Sequence, residues 1–208
     1  MDRKDIMRVV TTLLVLILIV QGAAVIRADD GPKPAGTAPT AEKRPSVHKW
    51  TLGSDFDLLP FAQHGYSSGG FIGRNSWRLC DMMSSRTAPS FLVSRGFADR
   101  RTDSYAGQAD LFFGNKRKGL EGYWAGAGFE YWRNWIRNVD ATTDAKYHDF
   151  MLTAAGGYRW KFSRHFYLDP GAEGHFVVAG QSEIPVSGRV YRQPVFVPEA
   201  SVKIGFTF

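Results

Sequence analysis

From Trp50 to the end of the chain, apolar and polar residues alternate with a period of two, which is the signature of strands with unlike faces. The last segment is the clearest. Phe196, Pro198, Ala200, Val202, Ile204, Phe206 and Phe208 fall on one face, and Val197, Glu199, Ser201, Lys203, Gly205 and Thr207 on the other. A strand from Leu120 sets Tyr123, Ala125, Ala127, Phe129 and Tyr131 against Gly126, Gly128, Glu130 and Trp132. One from His148 alternates Phe150, Leu152, Ala154, Gly156, Tyr158 and Trp160 with Met151, Thr153, Ala155, Gly157 and Arg159. One from Phe166 alternates Leu168, Ala172, Phe176 and Val178 with Asp169, Glu173 and His175; Pro170, which lacks a ladder donor, predicts a bulge or kink there. Four earlier strands are predicted near 50–60, 66–73, 76–84 and 103–113.

The connections alternate in length. Those at 73–76, 115–119 and 163–164 are short, whereas 86–102, 134–145 and 181–193 are long. An even barrel in a bacterial outer membrane has short periplasmic turns, long external loops and both termini on the short-turn side. The expected fold is therefore all-β, an eight-stranded antiparallel transmembrane barrel spanning residues 48–208. Aromatic residues gather toward the short-turn rim (Phe112, Phe113, Tyr123, Trp160, Phe162, Phe166, Phe206, Phe208), and Tyr131 and Trp135 mark the other rim. Such girdles sit at headgroup level.

Residues 1–28 carry the three parts of a secretory signal: Arg3, Lys4 and Arg8, an apolar run over 9–20, then small residues at Gly22, Ala23, Ala24 and Ala28. Cleavage after Ala24 and after Ala28 fit equally. The run is well short of the ~20 residues that span a bilayer. Residues 29–47, rich in Pro and Ala, show neither helical nor strand periodicity and read as a flexible, disordered periplasmic linker.

Composition narrows the function classes. The mean hydropathy is slightly negative, as expected when every second strand residue faces a polar interior. A single cysteine, Cys80, excludes a disulfide-stapled secreted domain. The net charge of +6 suits an anionic partner. Without a basic stripe or a nucleic-acid fold motif, that partner is expected to be lipid and not nucleic acid.

The segments WRLCDMM, APSFLVSRGF, DLFF and GLEGYWAGAGFEYW, with the ending PEASVKIGF, resemble an uncharacterised family of small Gram-negative outer-membrane barrels. The architecture is similar to the wider eight-stranded OmpA/OmpW-like superfamily. The resemblance covers most of residues 50–208 and implies fold and outer-membrane location, but no reaction. The final strand ending in Phe208 resembles the signature by which the barrel assembly machinery recognises its clients.

With the alternation in place, a luminal polar network is expected from Asp55, Asp57, Arg78, Asp110, Glu130, Arg159, Glu173, Glu199 and Lys203, with Asp169 and His175 beside them. An eight-stranded barrel is just wide enough for side chains to fill it, so these charges read as a structural plug rather than a pore. Arg86, Arg95, Arg100 and Arg101 surround the apolar SFLV in the second external loop, residues 86–102, and are candidate contacts to lipopolysaccharide phosphates. No cofactor or metal is expected, because no cluster has ligand spacing.

An enzyme is not expected either. His148 and Asp149 lie near the external rim and His64 in the first loop, but neighbours on a strand point to opposite faces. Neither a GxSxG elbow nor a His-x-Ser pattern is present. The favoured role is structural or surface-interacting, in a monomer. The alternatives are a transporter or narrow channel for small hydrophobic or ionic solutes and, after it, a lipid A-modifying enzyme.

Overall fold

A computed structural model describes residues 50–88, 96–113, 119–138 and 143–208. The signal and linker segments, the cleavage sites and Arg95 fall outside the described residues.

Eight antiparallel strands close into a barrel. In chain order they are β1 (Trp50–Asp57), β2 (Tyr66–Arg74), β3 (Trp77–Ala88), β4 (Phe97–Phe113), β5 (Gly122–Asn138), β6 (Ala145–Lys161) and β7 (Phe166–Gly180). The short pair β8 (Glu183–Val186) and β9 (Arg189–Arg192) follows, and β10 (Phe196–Thr207) closes the barrel. Each barrel strand pairs with its neighbour in sequence, except that β7 pairs β10 and β10 pairs β1. Closure runs from Gly53 opposite Thr207 to Asp57 opposite Lys203. No edge is left exposed, which removes the usual route to edge-to-edge aggregation.

The predicted strands are all present, with differences in detail. β1, expected to run to about 60, stops at Asp57, and Leu59–Gln63 turns as a 3-10 helix. β3, β4 and β5 run further toward the long connections than the alternation alone suggested, because cross-strand pairing continues to Ala88 opposite Arg100 and to Phe97 opposite Asn138. The connection at 181–193 is not a plain loop but a second hairpin. Its turn residues Ser187 and Gly188 both have positive φ, 43° and 80°, the backbone that a tight two-residue hairpin demands. Pro170 causes no bulge. The β6–β7 ladder skips the positions at Tyr158 and Arg159 with its register intact, and the register shift falls between Phe150 and Met151, opposite Val177 and Ala179.

Strand lengths make the wall uneven. β4, β5 and β6 each have 17 residues, while β1 and β2 have 8 and 9. The wall therefore stands high along β4–β6 and low over the β1–β2 connection, where a 3-10 turn (Leu59–Gln63) bridges the two strands.

Inward glycines create the room for bulky interior groups. A Cβ at Gly53 would collide with the Phe71 ring, one at Gly126 with the Asp110 carboxylate, and one at Gly205 with the Tyr167 ring.

Candidate functional site

The outer wall carries a broad apolar belt, while most of the buried charged side chains lie on the inner wall. Large hydrophobic side chains exposed on the outside include Leu52, Ile72, Leu79, Met83, Phe129 and Ile204. Aromatic rings sit within two residues of the strand ends on the short-turn side: Trp50, Trp77, Phe113, Tyr123, Trp160 and Phe166, then Phe208 at 77% exposure. Phe112, expected in this girdle, points inward instead and is 5% exposed. It neighbours Phe113, and adjacent strand residues cannot share a face.

Inside, the structure places Asp55, Asp57, Arg78, Asp110, Glu130, Arg159, Asp169, His175 and Lys203 in buried positions, with Glu173 and Glu199 partly buried. They form two layers. Nearest the short turns lies a plug of two guanidinium groups among three carboxylates. Arg78 Nε donates to Asp110 Oδ2 at 2.6 Å and its Nη1 to Asp55 Oδ2 at 3.1 Å, with Asp169 Oδ2 3.6 Å away. Arg159 Nε donates to Asp169 Oδ2 at 2.9 Å. Trp124 Nε1 donates to the other Asp169 oxygen at 2.6 Å, Gln108 Nε2 donates to Asp110 at 2.5 Å, and Tyr167 donates its hydroxyl to Asp55.

Aromatic rings enclose both guanidiniums. Arg78 lies 5.4 Å from the Trp124 ring and 5.6 Å from Phe71 and Phe112; Arg159 lies 3.8 Å from the Tyr167 ring. Leu120 joins Phe71, Phe112, Trp124 and Tyr167 in one buried cluster. Charges taken from water require this density of partners, since desolvation otherwise outweighs their attraction.

Above the plug, Lys203 is the cross-strand neighbour of both Asp57 and Asp169 and donates to Glu173 at 2.7 Å. Asp57 Oδ1 accepts from the backbone N–H groups of Leu59 and Val202 at 3.0 and 3.2 Å. These side chains form the floor of a cavity whose walls include Ser84, Arg86, Ser104, Glu130, Thr153, His175 and Glu199, with Pro60 at its low side. The centre of a water-sized molecule can occupy about 50 Å³ of it, room for a few waters.

Across the cavity, Arg86 of β3 grips Glu199 of β10 with both arms, its Nη2 donating at 2.7 Å. His175 stands between Glu130 Oε2 at 3.0 Å and Glu199 Oε2 at 3.4 Å, beside the Trp132 ring. The β3–β10 link therefore spans the low stretch of wall over β1 and β2.

The far end is covered from within. Asn134 joins Thr102 at 2.8 Å and Asp149 at 2.6 Å on the inner wall. Beyond them the β8–β9 hairpin buries Ile184, Val186 and Tyr191 against Phe97, Ile136 and Tyr147, all inward-facing. Asn138 Nδ2 also donates to the hairpin turn at Ser187 O, 3.3 Å.

Of the four arginines expected at an external loop, Arg86 and Arg101 have described side chains, and these point to opposite sides of the wall. Arg86 is 12% exposed and turned into the lumen; this corrects its assignment to lipopolysaccharide, and the reason is parity, since it shares the inward face of β3 with Arg78. Arg100 lies on β4 opposite Ile136, its side chain outside the described residues. Arg101 faces outward, 60% exposed, beside Asp103 at 3.3 Å. His148 and Asp149 diverge as two strand neighbours must. The His148 ring stacks on Tyr131 outside the barrel, its Nδ1 2.8 Å from the Tyr131 hydroxyl, while Asp149 is buried inside. Sequence reasoning missed Trp124 and Tyr167 as members of the interior, although each lies on a face already read as inward.

No family model and no curated protein matches the chain. Among solved structures it is similar to the crystal structure of Neisserial surface protein A, with 13% identity and a TM-score of 0.42, over 76% of this chain and 95% of that one.

Proposed function

We propose that this is an outer-membrane barrel of a Gram-negative-type cell with a structural or surface-interacting role, held in the bilayer by its wall and closed to solute flow by its interior. One observation carries the reading: the outside of a closed eight-stranded barrel is apolar between aromatic strand ends, while its lumen is occupied by the Arg78–Asp110–Asp55–Asp169–Arg159 plug. A conducting pore needs a continuous water path, and barrels with one have about twice as many strands. The proposed orientation sets the short turns and Phe208 in the periplasm, where the last strand is offered to the assembly machinery, and the β8–β9 hairpin at the cell surface. The reading includes no catalysis; the separation of His148 and Asp149 to opposite sides of the wall supports it.

The test is the mobility of outer-membrane fractions on a gel, boiled and unboiled, joined to planar-bilayer recordings of the purified protein. A heat-dependent shift in that fraction, with no stepwise conductance, is the expected result. Stable single-channel steps lost on Glu130→Gln would replace this role with transport, and a soluble periplasmic protein with no shift would overturn the membrane reading.

A further inference from the structure

The outward faces of β4, β5 and β6 change character in register as they rise above the apolar belt. Gly107, Phe129 and Leu152 lie side by side across the three strands; the next outward row is Tyr105, Tyr131 and Phe150. Above that row stand Asp103, Arg133 and His148, and above them Arg101, Trp135 and Lys146. Two residues advance a strand by about 7 Å, so the passage from hydrocarbon-facing rings to cations takes one step.

The cations are gathered around one ring. The Arg101 guanidinium lies 5.3 Å from the centroid of Trp135 and that of Arg133 5.4 Å from it, and Lys146 is the cross-strand partner of Trp135 on the other side. Of the neighbouring carboxylates, Asp103 is engaged by Arg101 at 3.3 Å and by the Ser85 hydroxyl at 2.6 Å, and Asp144 by Arg137 at 2.7 Å. Arg133 and Lys146 are both exposed and form no ion pair with a carboxylate among the described residues. Such a cluster on the lumen side could be neutralised by the barrel's own acids. On the outer wall, one row above the aromatics, Asp103 is the carboxylate of the same row and is already engaged by Arg101, so Arg133 and Lys146 are left facing outward toward an anionic partner.

We infer that Arg101, Arg133 and Lys146, arranged around Trp135, form a docking site for a phosphorylated glycolipid of the surrounding outer leaflet, with phosphate on the cations and acyl chains along the Phe129–Phe150 wall. This rests on the membrane reading above and moves lipopolysaccharide recognition from the loop tip to the barrel wall. Guanidinium suits phosphate because its fork donates two parallel hydrogen bonds. Phe129 and Phe150 stack at 6.1 Å and offer a flat apolar surface directly beneath.

The test is native mass spectrometry of the full barrel in detergent, titrated with bis-phosphorylated lipid A and with the same lipid stripped of phosphate. The wild type should prefer the phosphorylated lipid. R101Q/R133Q/K146Q should lose that preference, with affinity down by about tenfold or more, while R101K/R133K keeps most of it. The control R74Q/R164Q, which removes exposed cations at the short-turn end, should bind as wild type. Equal binding by the triple variant, equal loss in the control, or displacement of the lipid by millimolar inorganic phosphate overturns the site. If the wild type shows no heat-dependent gel shift, the membrane reading has failed; if the triple variant shifts normally and still binds, this inference alone has failed.

Discussion

Arg159 is wholly buried, and its charge is met by Asp169, by Asp55 at 3.7 Å and by the Tyr167 ring. Replacing it by Met keeps the bulk but leaves Asp169, itself fully buried, with one guanidinium fewer. Arg159→Met should therefore cost about 3–5 kcal/mol, the usual penalty for orphaning a buried charge. Urea unfolding of the refolded barrel, followed by its gel mobility, measures this directly, and a loss below 1 kcal/mol would show that water reaches the plug. Gly126 makes the same point through volume. Its missing Cβ is the space the Asp110 carboxylate occupies, so Gly126→Val should push Asp110 off Arg78 and destabilise by about 1–3 kcal/mol. Gly107→Ala, on the outer wall of the adjacent strand, where the added atom meets only the edge of the Phe129 ring, should cost less in the same assay.

Among the elements, the β8–β9 hairpin carries the most testable consequence. It contributes nothing to barrel closure, pairing only with itself, yet it shields Phe97, Ile136 and Tyr147 inside the tall β4–β6 wall. Replacing residues 183–192 with a short Gly/Ser link should leave the heat-dependent gel shift in place while making the mouth accessible. A cysteine introduced at Ile136, in a background with Cys80→Ser, should then react with a bulky maleimide in the shortened protein and resist it in the full one. Equal labelling in both would mean that the hairpin is not a cover. β1 and β2 play the opposite part. Their shortness lowers the wall, and the Arg86–Glu199 pair crosses the gap they leave.

For the molecule as a whole, the exposed apolar belt carries a prediction about the solvent in which it folds. Outward residues such as Leu79, Phe129 and Trp160 are more than half exposed, an arrangement that in water invites aggregation. Refolding from urea should succeed in detergent micelles or lipid vesicles and give aggregate in plain buffer. A monodisperse, folded protein in buffer alone would show that the apolar wall is covered by something other than lipid.

The alternation along the chain determined by itself that there are eight wall strands, which residues face inward, and where the short turns fall, because a pleated strand leaves each side chain only two directions. Even Arg86, taken from its position for a loop residue, was legible as luminal by its parity with Arg78. Tertiary structure alone decided how the inward charges pair, since Asp55, Arg78, Asp110, Arg159 and Asp169 come from five strands and their mutual distances depend on the register with which the barrel closes. It also decided that β8–β9 folds inward, because four-residue strands interrupted by Pro185 carry too little periodicity to announce themselves. The cluster around Trp135 arises in the same way, from three strands in register, so its cations are scattered in sequence and adjacent only once the sheet has formed.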